Sequence, residues 1–187
     1  ADGEVLDSGR PRDVLSPAAI REAFDARVAV GTDPATGSPT VTPLPDAADD
    51  LDARVHVLGG GDTATPVVRE LVAAGASVSV GPVVAGDTDH ETARRFGLDC
   101  VTTAPFGAPS DDAESRARAA AEDADAVVVP ADAADWGVNP ELGRAGEFSH
   151  PLKRRITGNR VTIRHAEGEY SSLVRLVQGS IEVEPGE

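Results

Sequence analysis

Methionine is absent from these 187 residues, and cysteine, tryptophan and tyrosine occur once each. A core made from such a chain must be filled with valine, leucine and alanine. Cys100 has no partner, which excludes an internal disulfide. It follows "FGLD" at the start of an expected strand, so it reads as a buried thiol rather than a reactive one. One cysteine and scattered histidines leave no zinc-binding pattern. Lys153 is the single lysine, and no glycine loop precedes it, so there is no G-x-x-x-x-G-K-[ST] phosphate loop. No G-x-S-x-G elbow exists either. No apolar run approaches the ~18 residues of a membrane span, and the acidic start "ADGE" is not a signal peptide.

Acid is abundant. Aspartate and glutamate number 32 against 17 lysine and arginine, for a formal net charge of −15. All of the excess lies in residues 1–150. Such a surface excludes the phosphate backbone of a nucleic acid and an anionic membrane as partners. The composition resembles that of salt-loving archaeal cytoplasmic proteins. In molar salt the Debye length falls to about 3 Å, so like charges stop repelling. In dilute buffer they oppose the compact state.

Punctuation by glycine and proline divides the chain into four parts: residues 1–45, a polar linker at 46–53, an alternating segment at 54–135, and a tail at 136–187. In the first part, "GEVLDSG" reads as a strand and turn. "SPAAIREAF" reads as a helix capped by Ser16 with Pro17 in its first turn. "RVAVG" and "PTVTPLP" read as two strands joined by "TDPATG", with Gly37 at positive φ.

Residues 54–130 alternate strand and helix, which predicts parallel strands covered on both faces. The strands are Val55–Leu58, "SVSVGPVV", "DCVTT" and "DAVVVP", the last an unbroken apolar run. Pro82 cannot donate to a ladder, so it is expected near the strand's end or on an edge. Helices are expected at about 65–74, 90–96 and 111–124, with Thr88 and Glu91 as a capping box, Ser110 as a cap, and Gly75 and Gly97 as stops. In the tail, "NRVTIRH" and "GSIEVEP" alternate like strands, and "YSSLVRLVQ" suits strand or helix. The tail completes the sheet, packs on it, or has a different origin.

Two short stretches carry candidate chemistry. "GGGDTA" follows a strand and opens a helix, and Gly59, Gly61 and Ala64 satisfy G-x-G-x-x-G/A. Such a loop holds phosphate on backbone N–H groups at a helix N-terminus. The same letters resemble the nicotinamide-binding loop of thioredoxin-reductase-like flavoproteins. An acid should grip the ribose about 20 residues later, but Gly81 stands there and Asp87 is the next acid. Asp62 also puts negative charge where a pyrophosphate would arrive. The plainer alternative is a sharp turn with close strand–helix packing. The second stretch, "GDTDHETAR", gathers Asp87, Asp89, His90 and Glu91 at a helix start. These acids complement the helix dipole, or they line a metal or hydroxyl site facing the glycine loop. His56, between two valines, reads as packing rather than chemistry.

Residues 2–45 resemble the end of an ABC transporter ATP-binding subunit of the cobalamin or iron–siderophore importer type. The likeness rests on Asp2-Gly3 with Val5 and Gly9, Asp13-Val14-Leu15-Ser16-Pro17, Val28 and Val30, and Asp33-Pro34 with Thr36-Gly37 and Pro39. Asp13 replaces the usual glutamate. Some archaeal members look similar further on, at Gly59–Gly61, Gly86–Asp89, Thr92–Arg94, Gly97 and Pro105-Phe106. The resemblance implies a small remnant of an ATPase domain, followed by a three-layer Rossmann-like α/β unit with a parallel sheet. The family's Walker motifs lie upstream of the matched residues. The resemblance therefore implies that the chain starts in mid-domain and that none of its residues is catalytic.

The function expected is accessory or regulatory, sensing a small ligand or contacting the transporter. A site would join Gly59, Gly60, Gly61, Asp62 and Thr63 to Asp87, Thr88 and Asp89. Its ligand would be small and anionic, and no cofactor is specified. The resemblance implies a membrane-embedded permease as partner, reached through the parent ATPase, and a cytoplasmic location peripheral to the membrane; a homodimer is a further expectation. The alternatives are an NAD(P)-binding oxidoreductase fragment and a structural interaction module without ligand. From the charge alone, the melting temperature should fall when the protein is moved from molar to millimolar salt. An equal melting temperature in both would remove the halophilic reading.

Overall fold

The computed structural model describes residues 3, 5–45, 51–105, 109–130, 162–165 and 177. A short helix α1, Pro11–Val14, precedes α2, Pro17–Phe24. Ser16 caps α2 by accepting from the Ala19 N–H at 3.1 Å, and Pro17 occupies the first turn. Strands β1, Val28–Thr32, and β2, Pro39–Pro43, form an antiparallel hairpin. Its loop is built on Asp33, whose carboxylate accepts from the Ala35 and Thr36 N–H groups. The expected strand at "GEVLDSG" is not formed over its described residues. Val5 and Leu6 are 83% and 45% exposed, and without a partner edge or a buried face a strand gains nothing.

The rest of the chain builds a five-stranded parallel sheet in the order β5-β4-β3-β6-β7. Its strands are β3, Arg54–Val57, β4, Ser77–Val84, β5, Asp99–Thr103, β6, Ala126–Pro130, and β7, Thr162–His165. Helices α3, Ala64–Ala73, α4, Thr88–Phe96, and α5, Asp111–Asp123, connect the first four in turn. Alternation along the strands sorts the core into two halves. Val55, Val57, Val80 and Val128 pack against Val67, Val68 and Leu71 of α3 and Ala93 of α4. Leu58, Val101, Val127 and Val129 pack against Ala113, Ala117 and Ala121 of α5. Three layers result, as the Rossmann-like expectation requires. The alanine face of α5 lets that helix lie close to the sheet in a chain poor in aromatic residues.

Several expectations are corrected. Pro82 sits near the end of β4, one of its two expected placements; the strand is flanked by β5 and β3 and is no edge. The proline is tolerated because β3 stops opposite Val80, while the β4–β5 register shifts between Val80 and Val83. No ladder donor is therefore needed there. The cap of α4 is Asp87, not Thr88: the Asp87 carboxylate accepts from the His90 N–H at 2.7 Å. Leu51 and Ala53, in the stretch read as a polar linker, are buried in the core. In the tail, Thr162–His165 pairs with β6 in parallel, so this part completes the sheet. Val177 is helical and joins the α3-side core. The other tail expectations, with Phe106 and His150, fall outside the described residues.

The hairpin is joined to the layered unit at the C-terminal ends of α3 and α4. Gly31 backs onto the carbonyls of Arg94 and Arg95, and Gly97 backs onto the carbonyl of Val30. No room exists for a Cβ at either place. The Arg27 guanidinium spans the seam, donating to the Pro45 carbonyl at 2.7 Å and to the Ala73 carbonyl, at the end of α3, at 3.1 Å. A cation at a helix C-terminus is favourable. Gly31→Ala should lower stability by about 1–3 kcal/mol, as overpacking does. Chemical denaturation at fixed molar salt measures it, and a wild-type midpoint would show that the seam is loose.

Candidate functional site

In this strand order the chain runs outward from the centre and then reverses, so β3 and β6 flank the switch point where open parallel sheets bind ligands. The glycine loop leaves β3 at that point. A Cβ on Gly59 would come within 2.7 Å of the Ala64 Cβ, so glycine there permits close strand–helix packing. Gly61 and Asp62 both adopt positive φ, 64° and 73°. Thr63 folds back over the loop, its Oγ1 donating to the Gly60 carbonyl at 2.8 Å and accepting from the Gly60 N–H at 3.2 Å.

The N-terminus of α3 is capped from another element. Asp89, on α4, is 2% exposed. Its Oδ1 accepts from the Thr65 N–H and the Thr65 hydroxyl, each at 2.7 Å, and its Oδ2 from the Ala64 N–H at 3.3 Å. Since the Thr65 hydroxyl proton goes to Asp89, the Thr92 hydroxyl donates to Thr65 Oγ1, at 3.0 Å. Asp87 adds to this cluster. Burial raises its pKa, as does the charge of Asp89, while N–H groups of His90 and Gly61 act in the opposite direction. Asp87 Oδ2 is buried and has no hydrogen-bond partner among the described residues.

The structure thus brings Gly59, Gly60, Gly61, Asp62 and Thr63 to the same edge as Asp87, Thr88 and Asp89. The two stretches bond to one another directly. The N–H groups of Gly60, Ala64 and Thr65, which would hold a phosphate, already have internal acceptors. The acid that reaches the Ala64 and Thr65 amides is Asp89; Asp62 is exposed. Neither the glycine pattern nor the acidic cluster marks Thr65 or Thr92 as a site residue, although Thr92 belongs to the archaeal likeness. The available signal was a threonine in the first turn after the glycine loop, and another one turn beyond Asp89.

Other candidates also have structural explanations. His90 Nδ1 accepts from the Gly86 N–H at 2.9 Å and so helps close the turn before α4. Among the described residues, no group of three or more His, Cys, Asp or Glu side chains is placed to hold a metal ion. Cys100 is half-buried; burial pushes its thiol up to about 11, and the charges of Asp87 and Asp89 add to the effect. It is protonated at neutral pH and is a poor nucleophile. A cleft of about 710 Å³ lies elsewhere, at the seam, between Arg21, Arg27, Leu44, Val72, Phe96 and Leu98.

His56 is fully buried on β3. Its Nε2 lies 3.0 Å from the Gly81 carbonyl and its Nδ1 2.8 Å from Ser79 Oγ. A carbonyl only accepts, so Nε2 carries the proton and the Ser79 hydroxyl donates to Nδ1. His56 fastens β3 to β4 beside Pro82.

These features define a Rossmann-like α/β unit whose glycine turn leads into a helix capped by Asp89 of α4. Residues 78–169 match the MJ0874 family, a span that includes β7. Two proteins named "Cobalamin import ATP-binding protein BtuD", from two strains of Halobacterium salinarum, are each 65% identical to the chain over 136 residues. The match takes in 72% of this chain and 34% of each relative, so the chain spans about a third of their length. No solved structure matches. The match bears out the resemblance to a haloarchaeal ABC ATP-binding subunit of the cobalamin-importer type.

Burial lowers the pKa of His56 from 6.5 to about 4. The unfolded chain therefore takes up a proton near pH 6.5 that the folded protein refuses until about pH 4. Stability contributed by the neutral imidazole is complete above pH 6.5 and lost as pH falls through that window, by about 3 kcal/mol. Denaturation at constant molar salt should show the loss, and His56→Gln should flatten this part of the profile. Parallel profiles for the two proteins would contradict the assignment.

Proposed function

We propose that the chain is a non-catalytic accessory region of an ABC importer's ATP-binding subunit, of the cobalamin type. The supporting observation is the 65% identity to the Halobacterium proteins, considered with the seam. The seam joins the hairpin, which resembles the end of an ATPase domain, to the helix ends of the α/β unit through Gly31, Gly97 and Arg27. Movement of one side is then passed to the other. In this reading the partner is a membrane-embedded permease reached through the ATP-binding subunit, and the location is the cytoplasmic face of the membrane.

The ligand-sensing role of Gly59–Thr63 and Asp87–Asp89 belongs to the same proposal in a narrower form. The Gly60, Ala64 and Thr65 amides are engaged, and the unpartnered Asp87 Oδ2 is an acceptor. The edge suits a ligand that brings hydrogen-bond donors or positive charge rather than phosphate. The same observation disfavours the NAD(P)-dependent alternative.

Deletion from the Halobacterium protein of the segment aligned with this chain should leave ATP hydrolysis measurable but alter its rate or its coupling to cobalamin uptake. The isolated chain should hydrolyse no ATP. An unaltered rate and unaltered uptake after deletion would remove the accessory role. Titration of the chain with cobinamide-like compounds should move amide resonances in residues 59–63 or 87–89; unmoved resonances would remove the sensing role alone.

A further inference from the structure

We infer that Asp89 is a built-in anion, its carboxylate occupying the phosphate position of the glycine cradle and holding the cradle closed. The two oxygens of a carboxylate reach two successive N–H groups at a helix N-terminus as two phosphate oxygens do. Asp89 does this at Ala64 and Thr65 and takes the Thr65 hydroxyl as well. It arrives from the next crossover, on α4, so the contact is tertiary and joins two loops that are remote in sequence. Thr63, the residue at the cap position of α3, gives that helix no side-chain hydrogen bond, so the capping is left to Asp89.

The surroundings support exclusion of an external anion. The Gly60 N–H is already taken by Thr63 Oγ1, at 3.2 Å. A phosphate would have to displace a buried carboxylate from three donors and then sit beside Asp87. The cradle has the glycine spacing of a nucleotide site, yet its anion is carried by the chain. This inference concerns the chain alone and stands whether or not the transporter reading holds.

The test uses the full chain in molar potassium chloride. In the wild type, the Ala64 and Thr65 amide resonances should stay fixed when millimolar inorganic phosphate, ATP or NADH is added. Asp89→Ala should melt well below the wild type. Phosphate should restore part of that loss, whereas chloride of equal ionic strength should not, and the two amides should now respond to phosphate. Asp89→Asn, which keeps the shape but loses the charge, should fall between. Phosphate-dependent shifts of Ala64 and Thr65 in the wild type would overturn the inference. So would an Asp89→Ala protein that melts like the wild type, or one that phosphate stabilises no more than chloride. If Asp89→Ala does not fold, Asp89→Asn is combined with Thr65→Val. Losses in melting temperature well short of additive support a direct contact, and additive losses overturn it.

Discussion

A single buried carboxylate connects the two crossovers on the α3–α4 side of this sheet. Asp89 belongs by sequence to the first turn of α4, but its oxygens end the backbone of α3. A buried charge is tolerable only when its acceptor sites are filled, and here two N–H groups and a hydroxyl fill them. Removing the carboxylate would orphan the same donors. The glycine turn, the Asp-Thr-Asp corner and the starts of both helices are therefore placed by one set of contacts. The other half of the sheet, covered by α5, packs on the alanines of that helix.

Much of this was legible in the sequence because it was locally encoded. Ser16 and Ser110 cap the helices that follow them, Gly97 ends α4, and the run Ala126–Pro130 is a strand buried on both faces. The adjacency of the two loops also followed from the topology, since turns after parallel strands leave by the same edge. What local patterns could not carry was the destination of a side chain. An aspartate in the first turn of a helix looks the same whether it serves its own helix or its neighbour. Threonine at 88 looks as good a cap as aspartate at 87, and the choice is made by the chain's path out of β4. Pro82 left a strand end and an edge equally open, because the register shift that excuses it belongs to a pair of strands, not to one. Val5 and Leu6 show the converse, apolar alternation with no neighbour to pair against.

The acidic composition and the polar ties act on different scales. The net charge of −15 is spread over the surface and is screened by salt. Asp89 and His56 are buried, where added electrolyte has little effect on them. Dilution should therefore loosen the whole molecule while leaving these internal contacts intact until it unfolds. For such a protein, the order of loss on desalting runs from the surface inward.

The seam has a mechanical consequence. Helices α3 and α4 rise about 1.5 Å per residue, so each forms a rod of roughly 15 Å. The hairpin grips the far ends of both rods, and the glycine turn and Asp87 lie at their near ends. A small swing of the hairpin would tilt the rods together rather than slide one past the other, because Asp89 pins their near ends. Displacement at one pole of the molecule would thus emerge at the opposite pole as a change of angle.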